Sequence, residues 1–296
     1  MLDNQVNILG AGAIGLSIYS YLNNVTNKYL ITNNNNIRAS NLIDPQGIHK
    51  KINPSYFKKK EIIDFLFICT KTYNVIEAIT EYKKYINANC LIVLCQNGAP
   101  EIENIQQTLP NNNIAIASCL FGAKIQDRQL ILSNQPTITL CPVTHAAYAQ
   151  TLHLSLLLQK NNIDTNINNN INKVIYEKLI INASLNALGA IYKKSHIEIF
   201  KSPKLQQLAK ELCFESTHII NKKTPIASAE KIWQNITNLI SIIGTNHSSM
   251  LQDINNNKPT EIDAINGHII QLANQYNMPA KLNQQIVNQI KDLYAN

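Results

Sequence analysis

Three groups of residues have types and spacings that could do chemistry. The first is Gly10-Ala11-Gly12-Ala13-Ile14-Gly15, directly after the apolar run VNIL and opening a helical pattern. In that context Gly10 permits a tight turn, Gly12 lets the backbone approach a pyrophosphate, and Gly15 lets the helix pack against the strand. The helix N-terminus then offers amide donors and a partial positive charge to phosphate. An NAD site places an acidic residue roughly 20 positions beyond the first glycine, for the ribose 2′-OH. Here that region reads LITNNNNIRAS, and no acidic residue occurs between Asp3 and Asp44. The absence favours NADP: Asn33 and Asn34 could donate hydrogen bonds, and Arg38 could pair with a 2′-phosphate. The alternative for Arg38 is an ordinary solvent-facing loop arginine.

The second group lies in KVIYEKLIINASLNAL, residues 173–188. Most of this helical wheel is apolar, so the helix should be largely buried. Lys178, Asn182 and Asn186 recur every four residues and therefore line one side of it. Burying such amides without partners would cost roughly 2–7 kcal/mol each. The stripe therefore faces water, a polar partner or a ligand cavity, and the residues alone leave these open. The third group is Asn246-His247-Ser248-Ser249, followed by Thr260-Glu261 at the head of an apolar helical stretch. Capping and dipole chemistry is the ordinary explanation of an acidic residue there. Two further loops, Thr70-Lys71 and Gln96-Asn97-Gly98, follow strand-like runs. Ligands sit at the carboxyl ends of strands in an open parallel sheet, which makes Lys71 and Asn97 candidates. Ordinary loop and turn chemistry is the alternative for both.

The elements that must position these groups form two regions. Strands over 6–9, 29–32, 62–69, 91–95 and 114–118 alternate with helices over 13–23 and 73–86. That alternation predicts a mostly parallel, doubly wound sheet. The segments QLIL and TITL look like antiparallel strands appended to it, and a helix over 145–160 closes the domain. The asparagine-rich stretch 166–172 marks the boundary, giving residues 1–167 and 168–296. Beyond it the patterns are helical, over 172–188, 204–221, 228–243, 260–275 and 283–294. The expected fold is α/β: an N-terminal Rossmann-type doubly wound sheet with a C-terminal all-helical domain.

Bulk composition narrows the function. The chain has 296 residues and is 45% hydrophobic, enough for packed cores. No apolar run reaches the ~18 residues expected of a membrane span, and the opening MLDNQVNILGAG lacks the pattern of a signal peptide. The six cysteines form no CxxC pair, and the histidines lack metal-ligand spacing. Reduced core thiols in a cytoplasmic protein are expected, and no metal. The net charge of +7 comes from dispersed lysines, with KKK at 58–60 the densest cluster. It suits small anionic ligands better than nucleic acid.

The combination of GAGAIG, CTKTYNV, CQNGAPEIE, YEKLIINASLNALGAIY and SSMLQDI followed by TEIDAINGHII resembles the ketopantoate reductase (2-dehydropantoate 2-reductase) family. The likeness spans nearly the whole chain in the family's order. It implies a site in the cleft between a Rossmann domain and a helical domain. It also implies NADPH-dependent reduction of the keto carbon of 2-dehydropantoate, in pantothenate and coenzyme A biosynthesis. Under the resemblance Lys178 corresponds to the catalytic general acid and Glu261 to the glutamate of the site. Asn182 and Asn186 match substrate-binding asparagines. Asn246 and Ser249 match residues at the substrate's carboxylate and hydroxyl. Asn97 and Lys71 match residues near the nicotinamide and the substrate. Two departures stand out: Ala187 occupies a place where the family often has proline, and Asn33 or Asn34 stands where many NADPH-using members have arginine. The alternatives are a related NAD(P)-dependent 2-keto acid or imine reductase, and a non-catalytic NADP-binding sensor. A homodimer is compatible with the sequence, which does not itself specify an oligomer.

Overall fold

The computed structural model describes residues 5–32, 36–58, 62–243 and 247–295. By their packing these form two units. The first is Met1–Gln96 with Pro100–Ile171; the second is Asn172–Asn296 together with the short loop Asn97–Ala99.

The first unit begins with β1 (Val6–Leu9), α1 (Ala13–Tyr21) and β2 (Lys28–Ile31). A hairpin of β3 (Asn41–Ile43) and β4 (His49–Lys51) follows. Next come β5 (Ile63–Ile68), α2 (Val75–Tyr82), β6 (Ile86–Leu94), α3 (Ile102–Thr108) and β7 (Asn113–Cys119). The unit ends with β8 (Ala123–Gln126), β9 (Gln129–Leu132), β10 (Thr137–Pro142), α4 (Tyr148–Gln159) and β11 (Asp164–Ile167). The main sheet has seven strands in the order β11-β10-β7-β6-β5-β1-β2. Strands β2, β1, β5, β6 and β7, with β2 at the edge, are parallel. Parallel strands must be covered on both faces, which explains their unbroken apolar runs. All of β1 is buried, as is the stretch Leu91–Leu94 of β6.

Two sequence expectations need correction. QLIL does not join the main sheet: as β9 it pairs parallel with β3 and antiparallel with β8, in a separate four-stranded sheet β4-β3-β9-β8. TITL does lie in the main sheet, as β10 antiparallel to β7. Nor does the helix over 145–160 end the unit. After α4 the chain adds β11, parallel to β10. Half-exposed, polar and only four residues long, β11 carries little hydrophobic signal of its own. Helix α1 packs against both sheets, which fixes the glycine turn at its head.

The second unit is helical: α5 (Ile171–Tyr192), α6 (His196–Lys201), α7 (Pro203–Lys223), α8 (Ala229–Ile243) and α9 (Ser249–Asn255). A π-helical turn (Asp263–Gly267) follows, leading into α10 (His268–Gln275), and α11 (Lys281–Ala295) ends the chain. The helix expected over 260–275 is thus a π turn joined to an α-helix. Short α6 and α9 were not foreseen. By length and composition alone α5 could cross a membrane, which the sequence reading did not allow for, yet it is mostly buried within its own unit. Its Leu179, Ile180, Leu185 and Leu188 meet Leu212 and Cys213 of α7 and Ile232 and Ile236 of α8 in one core. Each such fully buried aliphatic side chain stabilises the unit by roughly 1.5–3 kcal/mol.

Candidate active site

In the first unit the glycine turn has the geometry its sequence suggests. Gly10 has φ +105°, and a Cβ there would lie 2.9 Å from the carbonyl carbon of Cys69. A Cβ on Gly15 would lie 2.0 Å from the Gly10 carbonyl oxygen, so α1 can approach the turn only with glycine there. Gly12 differs: an added Cβ would meet nothing within 4 Å among the described residues. The chain itself has no need of glycine at that position, whereas a closely approaching phosphate does. Gly12 is the N-cap of α1, with no side-chain cap and no acidic residue in the first turn. Ala11, Ala13 and Ile14 are half-buried around it. These features fit a dinucleotide pyrophosphate.

The loop after β5 borders this turn, since Gly10 lies against Cys69 and Thr70. Gln96, to which the sequence reading assigned no role, clasps that loop. Its Nε2 donates to the carbonyls of Ile68 (2.7 Å) and Thr70 (3.1 Å). Lys71 follows at the head of a short turn (Thr72–Asn74) and is half-buried. Arg38 is exposed on the segment leading into β3. Asn33 and Asn34 lie outside the described residues. Asp44, the first acidic residue beyond the glycine turn, is engaged in its own turn: it accepts from the amides of Gln46 and Ile48 and pairs with Lys50 at 3.2 Å.

In the second unit the stripe on α5 forms as its spacing requires. Lys178 and Asn182 are half-buried and Asn186 is buried. Asn186 Nδ2 donates to Asn182 Oδ1 at 3.2 Å. Asn182 Nδ2 is buried and has no hydrogen-bond partner among the described residues. A buried amide donor left unmade costs about 1–3 kcal/mol, so its presence favours a ligand acceptor. Beside Lys178, partial burial pushes the Glu177 carboxyl up, with Lys173 opposing.

Ser248 of the third group packs on the same helix. Ser248 Oγ donates to the carbonyl of Asn186 (2.9 Å) and accepts the amide of Leu251 (3.1 Å), capping α9. Ser249, the serine singled out from the sequence, opens α9 and is half-buried. The structural tie to the stripe therefore belongs to its neighbour. Asn246 lies outside the described residues.

Glu261 is buried, 6% exposed, two residues before the π turn. Beside it, Thr260 Oγ1 accepts the amide of Ile262 at 3.3 Å. The π turn also touches the loop of Asn97: the Ala99 amide donates to the Ala264 carbonyl at 3.4 Å. Gly98, φ +93°, leaves room for that approach, since a Cβ there would lie 2.6 Å from the same oxygen. π turns recur at functional sites because they displace backbone groups from the regular ladder.

Nearby histidines make poor proton donors. His268 stacks on Tyr176 and is pushed down to about 4, by burial first and Lys223 second. His196 is likewise pushed down to about 4, by burial and then His247. Burial raises the thiols of Cys141 and Cys213 to about 11, which makes them poor nucleophiles. Among the described residues no cluster could hold a metal ion.

A dinucleotide turn on a doubly wound sheet, followed by a helical unit with a lysine–asparagine stripe, defines the class: a dinucleotide-binding oxidoreductase. Comparison with known proteins agrees. Residues 6–145 match the model described as "Ketopantoate reductase PanE/ApbA", and residues 170–294 that described as "Ketopantoate reductase PanE/ApbA C terminal". The chain belongs to the ketopantoate reductase family. It is 24% identical to the 2-dehydropantoate 2-reductase of Aquifex aeolicus, covering 96% of this chain and 95% of that one. It is 26% identical to that of Yersinia pestis, over 77% and 73%. In fold it is similar to the dimeric ketopantoate reductase of Staphylococcus aureus, with a TM-score of 0.84, 21% identity and 99% of both chains covered. It is also similar to a D-mandelate dehydrogenase bound to NADH and anilino(oxo)acetate, with a TM-score of 0.89, 19% identity and 98% of both chains covered.

Proposed function

We propose that this protein reduces 2-dehydropantoate to pantoate with NADPH, in the cytoplasm, as a step of pantothenate and coenzyme A biosynthesis. One observation carries the reading: α5 presents Lys178, Asn182 and Asn186 along one side, with a buried Asn182 amide donor that has no partner among the described residues. Such a donor suits an oxygen-rich, anionic substrate.

When bound, the reduced nicotinamide supplies the hydride. The chain's own residues do the rest. The head of α1 would hold the pyrophosphate over Gly10–Gly15, with Ala11, Ala13 and Ile14 flanking it. Lys178 would stabilise the negative charge developing on the keto oxygen and give it a proton. Asn182, Asn186, Asn246 and Ser249 would fix the substrate, so that the carbonyl is presented in one orientation. Glu261 would hold the substrate hydroxyl or orient Lys178. Asn97 and Lys71 would lie on the nicotinamide side.

NADPH is favoured over NADH by the lack of any acidic residue between Asp3 and Asp44, and by Asp44 being committed to its own turn. Arg38 would pair with the 2′-phosphate, with Asn33 beside it. The dimeric relative from Staphylococcus aureus supports a homodimer.

Absorbance of the nicotinamide, followed with ketopantoate and either NADPH or NADH, tests the reading. Rapid oxidation of NADPH with ketopantoate, and slow oxidation with NADH or with other 2-keto acids, is expected. Faster turnover of another 2-keto acid or an imine would replace the substrate. NADPH binding with no turnover of any of them would leave a sensor.

A further inference from the structure

A buried polar chain runs through the second unit behind the proposed site. It starts at Glu215 on α7, whose carboxylate accepts the amides of Leu282 (3.1 Å) and Asn283 (2.9 Å) at the head of α11. Glu215 also accepts Asn283 Nδ2 at 2.9 Å, and Ser216 Oγ lies 3.2 Å from the same nitrogen. A carboxylate can only accept, so the NH2 of Asn283 must face it and the Asn283 Oδ1 must face away. That oxygen takes Asn266 Nδ2 at 2.9 Å. The same Nδ2 also donates to the carbonyl of Ala183 on α5 at 3.2 Å. Asn266 and Asn283 are fully buried. The charge of Glu215 thus dictates how each amide in the chain points.

The ends of this chain are informative. Ala183 directly follows Asn182 on α5, and Asn266 belongs to the π turn that begins two residues after Glu261. Ala264, in the same turn, receives the amide of Ala99, two residues after Asn97. The π turn therefore joins three segments: those of the stripe, of Glu261 and of Asn97.

We propose that Asn266, oriented by Asn283 and Glu215, is a positioning residue that holds the Glu261 segment in register with the asparagine stripe of α5. The proposal rests on the reading of the site given above, and goes beyond it by assigning work to residues that touch neither substrate nor cofactor. Misplacement by about 1 Å of groups that surround a reacting centre can cost on the order of 10²-fold in rate.

The test compares Asn266→Ala with Ile236→Ala, a buried core substitution on α8 that leaves the polar chain intact. Both should lower the melting temperature. Only Asn266→Ala should lower kcat per folded molecule, by roughly 10- to 100-fold, while the Kd for NADPH stays unchanged. Hydrogen exchange of the amides at 261–267 should quicken in Asn266→Ala and not in Ile236→Ala. If Asn266→Ala does not fold, Asn283→Ala is measured in the same two ways, with the same direction expected. An unchanged kcat, or exchange at 261–267 matching that of Ile236→Ala, overturns the proposal. If the parent protein does not reduce ketopantoate, the proposed reaction fails instead, and the exchange comparison alone decides the role of Asn266.

Discussion

Replacing Gly12 with alanine should separate binding from folding. The backbone at Gly12 has φ −75° and ψ −176°, which any residue adopts, and an added Cβ meets no atom of the described residues within 4 Å. Exchanging glycine for alanine at a helix N-cap costs less than about 1 kcal/mol. A pyrophosphate crossing the turn would be pushed away by that methyl group. Losing one charge-assisted hydrogen bond from the α1 amides costs about 1.5–3 kcal/mol. Since 1.4 kcal/mol is tenfold in affinity, the Kd for NADPH should rise roughly 10- to 100-fold. Gly15→Ala is the contrasting variant. Its Cβ would stand 2.0 Å from the Gly10 carbonyl oxygen, backbone against backbone, and the turn would have to open. A loss of stability on the order of 3 kcal/mol is expected there. Nicotinamide fluorescence titration reads the first effect, and urea unfolding the second. Unchanged NADPH affinity in Gly12→Ala would mean that the pyrophosphate does not cross this turn. Early unfolding of Gly12→Ala would contradict the open space around its α-carbon.

Other predictions follow from the same geometry. Lys178→Ala should lower kcat by roughly 10²–10⁴-fold while NADPH still binds, and near-normal turnover would remove Lys178 from the chemistry. Arg38→Ala should shrink the preference for NADPH over NADH in kcat/KM; an unchanged ratio returns Arg38 to the solvent-facing loop. The depressed value of His196, about 4 against an ordinary 6.5, makes stability depend on pH. The unfolded chain binds the proton first, so stability is complete above about pH 6.5 and is lost as pH falls towards 4. The loss is on the order of 3 kcal/mol. Urea unfolding between pH 7 and pH 5 should show a slope that His196→Leu reduces by roughly half, since His268, also held at about 4, supplies a like share; equal slopes in both proteins would contradict it.

Much of the candidate site was legible in the sequence because its signals are local. A strand, glycine turn and helix follow one another directly over residues 6–21, and Gly15 answers to Gly10 five residues before it. Lys178, Asn182 and Asn186 share one side of α5 simply because four residues make about one helical turn. The apolar residues around them predicted burial, and α5 is buried. Ser248 shows the limit of such reading. Two adjacent serines look alike in sequence, and the contact with the Asn186 carbonyl, 62 positions away, distinguishes them.

What the sequence by itself determined was the order of the elements, the glycine turn and the orientation of polar groups along a single helix. These depend on backbone periodicity and on residues within one or two turns of each other. Only the tertiary structure decided the partners. The hairpin β3–β4 meets β9 and β8 from some eighty positions further on, forming a second sheet that no local pattern announced. Glu215, Asn283, Asn266 and Ala183 come from four separate segments, and nothing near any one of them marks it as part of a chain. Strand pairing and buried polar networks are choices among distant groups, made by whichever arrangement satisfies every buried donor and acceptor it can while filling the core.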